Sequence, residues 1–248
     1  MPTWITLTGR LITGDFSAYA FYEVEDARYV ATDLKYFDFV EKNNVINSAI
    51  NETFPSGWSI NIKELYREAL EGNITLPSMY NNDYIYFLGD FTGTKKINNI
   101  YFLEDNQYYA IIDGGFANYS ANIIPNLTNV YLPKTDYFVQ LGDSAFFNCY
   151  NLTHIDINHE GKLNNKLQTI GASAFYCSNN IPNKLIINEL PEDLKIIGSQ
   201  AFYRSSKNEN IRISKLPIGI IKLEEWVFGN CPNVNISIFG TTTPGVGL

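Results

Sequence analysis

The chain has 248 residues, of which 45% are hydrophobic and 15% aromatic, and a formal net charge of −8. That length holds one large core or two moderate ones. An acidic balance with no basic stripe argues against a phosphate-backbone partner, so no nucleic acid is expected, and the net charge reads as solubility. No apolar run approaches membrane-spanning length, so no membrane insertion is expected. The opening Met1-Pro2-Thr3-Trp4-Ile5-Thr6 has neither the basic nor the apolar region of a secretory leader. Either the protein stays where it is made or a leader has been removed.

Ile5 and Leu7 alternate with Thr6 and Thr8, and Tyr19 and Phe21 alternate with Ala20 and Tyr22. Arg28 to Thr32 follows the Glu25-Asp26 turn, and together these runs predict a β-meander. Asn61 as N-cap, Glu64 three residues on, and the stripe Leu65, Ala69 and Leu70 predict a helix ended by Gly72. A second, short helix is expected from Asn44 to Thr53. Residues 1–80 thus read as an aromatic-rich α+β domain, with Pro77, Ser78 and Asn81-Asn82-Asp83 marking its end. Nine of the first forty residues are aromatic: Trp4, Phe16, Tyr19, Phe21, Tyr22, Tyr29, Tyr36, Phe37 and Phe39. They either fill a small core or leave some rings exposed as interface anchors, which would dock this segment on an assembly or make a homo-oligomer.

A repeat takes over beyond residue 84. Leu185, Ile187, Leu190, Pro191, Leu194, Ile197 and Phe202 recur at an offset of 26 as Ile211, Ile213, Leu216, Pro217, Ile220, Leu223 and Phe228. Leu141-Gly142-Asp143-Ser144-Ala145-Phe146 recurs as Ile170 to Phe175 and as Ile197 to Phe202. A fixed period in the twenties is the mark of a solenoid, whose units bury their apolar faces only by stacking. About six turns are expected, with strands near 100–102, 130–132, 155–157, 185–187, 211–213 and 236–238. Phe146, Phe175, Phe202 and Phe228 should form a ladder of buried rings, with the preceding alanines giving them room. The glycines after Leu141, Ile170 and Ile197 suit a tight corner with positive φ.

The unit Leu141 to Ile157 follows I-G-x-x-A-F-x-x-C-x-x-L-x-x-I-x-I, and this pattern resembles the BspA-like class of leucine-rich repeats over about residues 84–240. Residues 241–248 are a C-terminal tail. Cys177 falls two residues after Phe175 rather than three, Ser205 stands where a cysteine is expected, and Val234 to Ile238 is shifted by one. The resemblance implies a surface or adhesion protein whose solenoid, with a short parallel β-sheet, contacts another macromolecule. The complete fold expected is therefore α+β: a β-meander with one or two helices, then a leucine-rich repeat solenoid.

Chemistry is sparse. His154 falls in a repeat strand and His159 in the following loop, and their spacing does not match a helical zinc pair. Glu23, Glu25 and Asp26 sit at a turn, and Asp113-Gly114-Gly115 reads as another. Cys149, Cys177 and Cys231 occupy one region of the repeat and read as small buried hydrophobes. Asn126 and Asn151, each in an N-x-S/T triplet, belong to the repeat itself. No catalytic constellation, metal or cofactor is expected. Three functions remain open: a protein-binding or adhesion module, a structural or attachment part of a large assembly such as a virion or tail, and an enzyme with accessory repeats. For binding, the outward residues of successive strands are the candidates: Tyr101, Tyr131, Asp156, Ile186 and Arg212, with Asn129, His154, Lys184 and Asn210 beside them. The partner would be a surface receptor, a matrix protein or an assembly subunit.

Overall fold

A computed structural model describes residues 4–5, 11–12, 32–43, 46–47, 52–53, 56–102, 111–112, 124–132, 140–155, 163, 166–177, 184–204, 211–231, 234 and 236. The strands, in chain order, are β1 Trp4–Ile5, β2 Leu11–Ile12, β3 Phe37–Lys42, β4 Ile46–Asn47, β5 Glu52–Thr53, β6 Gly57–Ile62, β7 Glu71–Leu76, β8 Met79–Tyr80 and β9 Asp83–Leu88. They continue as β10 Lys96–Phe102, β11 Ile111–Ile112, β12 Asn129–Tyr131, β13 Gln140–Leu141, β14 His154–Ile155, β15 Thr169–Ile170, β16 Ile196–Ile197 and β17 Lys222–Leu223.

From β6 onward the chain winds as a solenoid and lays strands alternately on two sheets. One runs β14-β12-β10-β7, and the bridge between Ile187 and Ile211 repeats its parallel pairing in later turns. The other has nine strands, with the path β17-β16-β15-β13-β11-β9-β6-β3 and β8 attached to β9. Every pairing between successive turns is parallel; β3 joins β6 antiparallel at the end of the stack. The winding therefore starts at Gly57, upstream of the visible sequence repeat. Two sheets stand where one was expected. The Leu-Gly and Ile-Gly steps read as corners are short strands of the second sheet, followed at once by a turn.

Helical structure among the described residues is confined to two 3-10 turns, Leu34–Tyr36 and Glu64–Tyr66. The α+β expectation and the helix from Asn61 to Gly72 are thereby corrected. Asn61 lies inside β6, and its side-chain oxygen accepts from the Asp90 N–H of the next turn at 2.7 Å instead of capping a helix. Leu65 is 81% exposed while Leu70 is buried, so the supposed stripe does not share one covered face. A helix that short, without a packed stripe, is not stable. The helix expected from Asn44 to Thr53 is replaced by the antiparallel pair β4 and β5. Of the meander, β1 and β2 pair antiparallel, and residues 13–31 lie outside the described residues.

The core is one continuous column. Phe146, Phe175, Phe202 and Phe228 are buried and stack with centroids 5.6, 5.2 and 5.3 Å apart. Ala145, Ala174 and Ala201 beside them are fully buried. A second, shallower column of Phe147, Tyr176 and Tyr203 runs parallel to it at 5.1 and 5.3 Å.

The turn that carries Ala-Phe has its own inter-turn bonding. Ser144, Asn148, Ser173, Gln200, Arg204, Trp226 and Asn230 all have φ between 54° and 59°. Left-handed residues lie four apart at 144 and 148, 200 and 204, and 226 and 230, and in these turns every second N–H points along the solenoid axis. Ser144, Phe146 and Asn148 donate to the carbonyls of Ala172, Ala174 and Tyr176 at 2.7–2.8 Å. Ser173, Phe175 and Cys177 donate likewise to the next turn, and Gln200, Phe202 and Arg204 to the one after. Gly171 and Gly198 are not in the left-handed region, contrary to the expectation for these corners. They are glycine because backbone passes too close: a Cβ on Gly198 would lie 2.4 Å from the Ala172 nitrogen.

Candidate functional site

The outward side of the first sheet carries two rows of side chains fixed by strand register. β10 sits between β7 and β12, and Asn99 is opposite both Asn73 and Asn129. Their amides link in series: Asn99 Nδ2 donates to Asn73 Oδ1 at 2.7 Å, and Asn129 Nδ2 to Asn99 Oδ1 at 2.7 Å. Thr128 and Thr153 hydroxyls close onto the same row, donating to Asn99 Oδ1 at 3.0 Å and Asn129 Oδ1 at 2.8 Å. One pleat further along, Tyr101 is opposite Tyr131, and their rings stack at 4.4 Å with 5° between planes. Both are half-buried. Ring position is thus set by the neighbouring ring and by an amide row that cannot rotate without breaking its bonds.

The same sheet continues past β14. The Ile186 N–H donates to the Thr153 carbonyl at 2.8 Å, and that of Arg212 to Ile187 at 2.9 Å. Lys184 Nζ reaches Asn151 Oδ1 at 3.0 Å. The amide of Asn151 is anchored on the Pro125 carbonyl, and that of Asn126 on Lys95, so both serve as clips between turns. In the second sheet, Glu224 accepts from Ser199 N–H at 2.8 Å and pairs with Lys222, and these contacts hold its carboxyl below the usual carboxylate range. Burial pushes the Cys149 thiol well up, removing it from nucleophilic chemistry. Cys149, Cys177 and Cys231 are all free and buried. Among the described residues no group of three or more His, Cys, Asp or Glu could hold a metal ion, and no helix is long and apolar enough to cross a membrane.

Residues 121–244 match the family model of the BspA type leucine rich repeat region, in six copies. The chain belongs to that family. Solved structures similar to it include the leucine-rich repeat protein TpLRR of T. pallidum, at 15% identity and a TM-score of 0.42, covering 83% of this chain and 69% of that one. The pneumococcal vaccine antigen PcpA is 18% identical with a TM-score of 0.31, over 71% of this chain and 58% of that one. A leucine-rich repeat protein from Bacteroides ovatus is 13% identical with a TM-score of 0.28, over 82% and 63%. No curated protein matches the chain.

In this BspA-type array, Tyr101 and Tyr131 come together as a stacked pair. Ile186 is half-buried and Arg212 exposed, on adjacent later turns. Asp156, Asn210 and His159 lie outside the described residues, as do Glu23, Glu25, Asp26 and Asp113 to Gly115. His154 is half-buried, opposite Asn129. The row of Asn73, Asn99 and Asn129 was not foreseen, because Asn73 fell beyond the end of a supposed helix; the asparagine recurring just before the buried Ile74, Ile100 and Val130 is the signal that reveals it. Also unforeseen is an exposed apolar rim on the last BspA-type turns, where Ile218, Ile221 and Trp226 are 105%, 71% and 52% exposed. A cleft of about 440 Å³ lies beside it, between Glu189 and Glu192 on one turn and Lys215 to Ile218 on the next.

Proposed function

We propose that the chain is a non-enzymatic protein-recognition module, which attaches to another macromolecule through the outward face of its first sheet. Tyr101, Tyr131, Ile186 and Arg212 are the contact residues, together with Asp156, the position of the next sequence repeat that matches Tyr131. The observation that carries this reading is the Tyr101–Tyr131 stack beside the linked asparagine row. Rigid aromatic side chains give contact area at low entropic cost, and Tyr and Arg are enriched among residues that dominate binding energy. Membership in a repeat family fits the same role, since a stacked array offers a long continuous surface.

The test uses a partner recovered by crosslinking to the full chain. Tyr131→Ala and Arg212→Ala should each weaken binding by at least ~1 kcal/mol, the threshold that separates anchors from passive contacts. Arg212→Ala should leave the melting temperature unchanged, because the side chain is exposed. Unaltered affinity in both variants would move the site off this face, with the cleft at Glu189 to Ile218 the next candidate.

A further inference from the structure

The nine-stranded sheet ends on β3, a six-residue strand that among the described residues has a strand neighbour, β6, on one side only. The Lys63 N–H donates to the Tyr36 carbonyl directly opposite, which fixes the alternation of the antiparallel pair. Asp38, Val40 and Lys42 turn their backbone groups toward β6, and Phe37, Phe39 and Glu41 turn theirs to the open side. The opposite alternation on β6 agrees, since the Ile60 carbonyl accepts from Gly89 on the far side of the strand. The Phe37 N–H is taken by the Leu34 carbonyl, and among the described residues nothing is bonded to the open side of Phe39 or Glu41. Such an edge is a template for another strand, and native proteins usually cover, bend or shorten it. Here the open stretch from Phe39 to Glu41 carries Val40, 49% exposed, at its centre.

We propose that β3 pairs with β3 of a second copy, antiparallel, about a two-fold axis through Val40. The choice of axis follows from backbone and charge together. Centred on Val40, the open-side groups of Phe39 meet those of the partner's Glu41, and the strand gains a regular hydrogen-bonded pair on each side of the axis. Val40 then faces the partner's Val40, apolar against apolar. Asp38 faces the partner's Lys42 and Lys42 the partner's Asp38, so opposite charges meet twice in the closer, non-hydrogen-bonded pairs. An axis at Phe39 would set Asp38 against the partner's Val40, and one at Glu41 would set Lys42 against it. The Val40 axis alone sets opposite charges against each other and Val40 against Val40 on the outer face, while on the other face Phe39 lies opposite the partner's Glu41. Behind the edge, Phe39 stacks on Tyr80 at 3.8 Å and Tyr80 packs edge-on against Trp58, which stiffens this end of the sheet. The second sheet of each copy would become one sheet running through the dimer. This surface is separate from the Tyr101–Tyr131 face, so the failure of either reading leaves the other standing.

Analytical ultracentrifugation of the full chain over a concentration series tests the proposal. The expected species is a dimer. Asp38→Lys and Lys42→Asp each place like charges opposite and should raise the dissociation constant by about tenfold or more. The double variant D38K/K42D restores the pairing and should return the constant to near the original. Glu41→Pro removes only an outward N–H, and should yield a monomer whose circular dichroism is unchanged. A chain that stays monomeric at every concentration overturns the proposal. So does a dimer indifferent to Glu41→Pro, or one that the double variant fails to restore.

Discussion

Phe175 is 1% exposed and lies between Phe146 and Phe202, with ring centroids 5.6 and 5.2 Å away. Neither neighbour can close on the space it fills, because each is held at its own height by the axial hydrogen bonds of its turn. Phe175→Ala should therefore cost about 3–5 kcal/mol, the range for removing a buried ring with little collapse of the cavity. Urea unfolding measures this, and a loss under ~1 kcal/mol would mean that the column relaxes freely. Gly198 is constrained differently. Its place is taken up by neighbouring backbone, Ala172 nitrogen at 2.4 Å and Gly171 carbon at 2.7 Å from a hypothetical Cβ, and backbone cannot swing aside as a side chain can.

Successive turns are joined by side chains as well as by strands, and at Glu224 such a joint makes element-scale stability depend on pH. Asp143 Oδ1 accepts from Ala172 N–H at 2.7 Å, and Glu224 Oε2 from Ser199 N–H. The hydrogen bond from Lys222, then that from Ser199, lowers the Glu224 carboxyl below its ordinary 4.5. A carboxyl lowered in the folded state contributes fully above its unfolded value and loses that contribution as pH falls through the folded one. Glu224→Gln should thus lower the melting temperature at pH 7, with the gap to the parent closing as pH falls below the ordinary carboxylate value. A gap that does not change with pH would assign the loss to shape rather than charge. How legible each element was in sequence follows its length and its bonding partners. The Phe column was readable because the same residue type recurs from turn to turn, and so was the alignment of Tyr101 with Tyr131, though not the stacking of their rings. The second sheet was not, since strands as short as Thr169–Ile170 are too brief to show alternation. Asn61 and Glu64 carry a sound local helix signal, but Asn61 is claimed by the Asp90 amide of the next turn, a long-range bond that no local pattern reports.

At the scale of the molecule, the three thiols report on the integrity of the array. Cys149 and Cys177 are essentially inaccessible and Cys231 nearly so. The Cys231 thiol is also engaged with the Phe202 carbonyl of the previous turn at 2.9 Å. Iodoacetamide should modify all three only in denaturant, and dithiothreitol should leave the melting temperature unmoved; fast labelling of the native chain would show that turns open independently. The axial hydrogen bonds of the Ala-Phe turns have a further consequence. In an ordinary sheet peptide dipoles alternate and nearly cancel. In these turns three N–H groups per turn point toward the C-terminal end of the array, and their carbonyl partners point back. Their dipoles add with every turn, as they do in an α-helix. An α-helix is positive at its N-terminal end, whereas this column is positive where Trp226, Phe228 and Asn230 present N–H groups that have no partner among the described residues. A protein of net charge −8 therefore carries an oriented field along its long axis, set by backbone alone and indifferent to substitution of its surface charges.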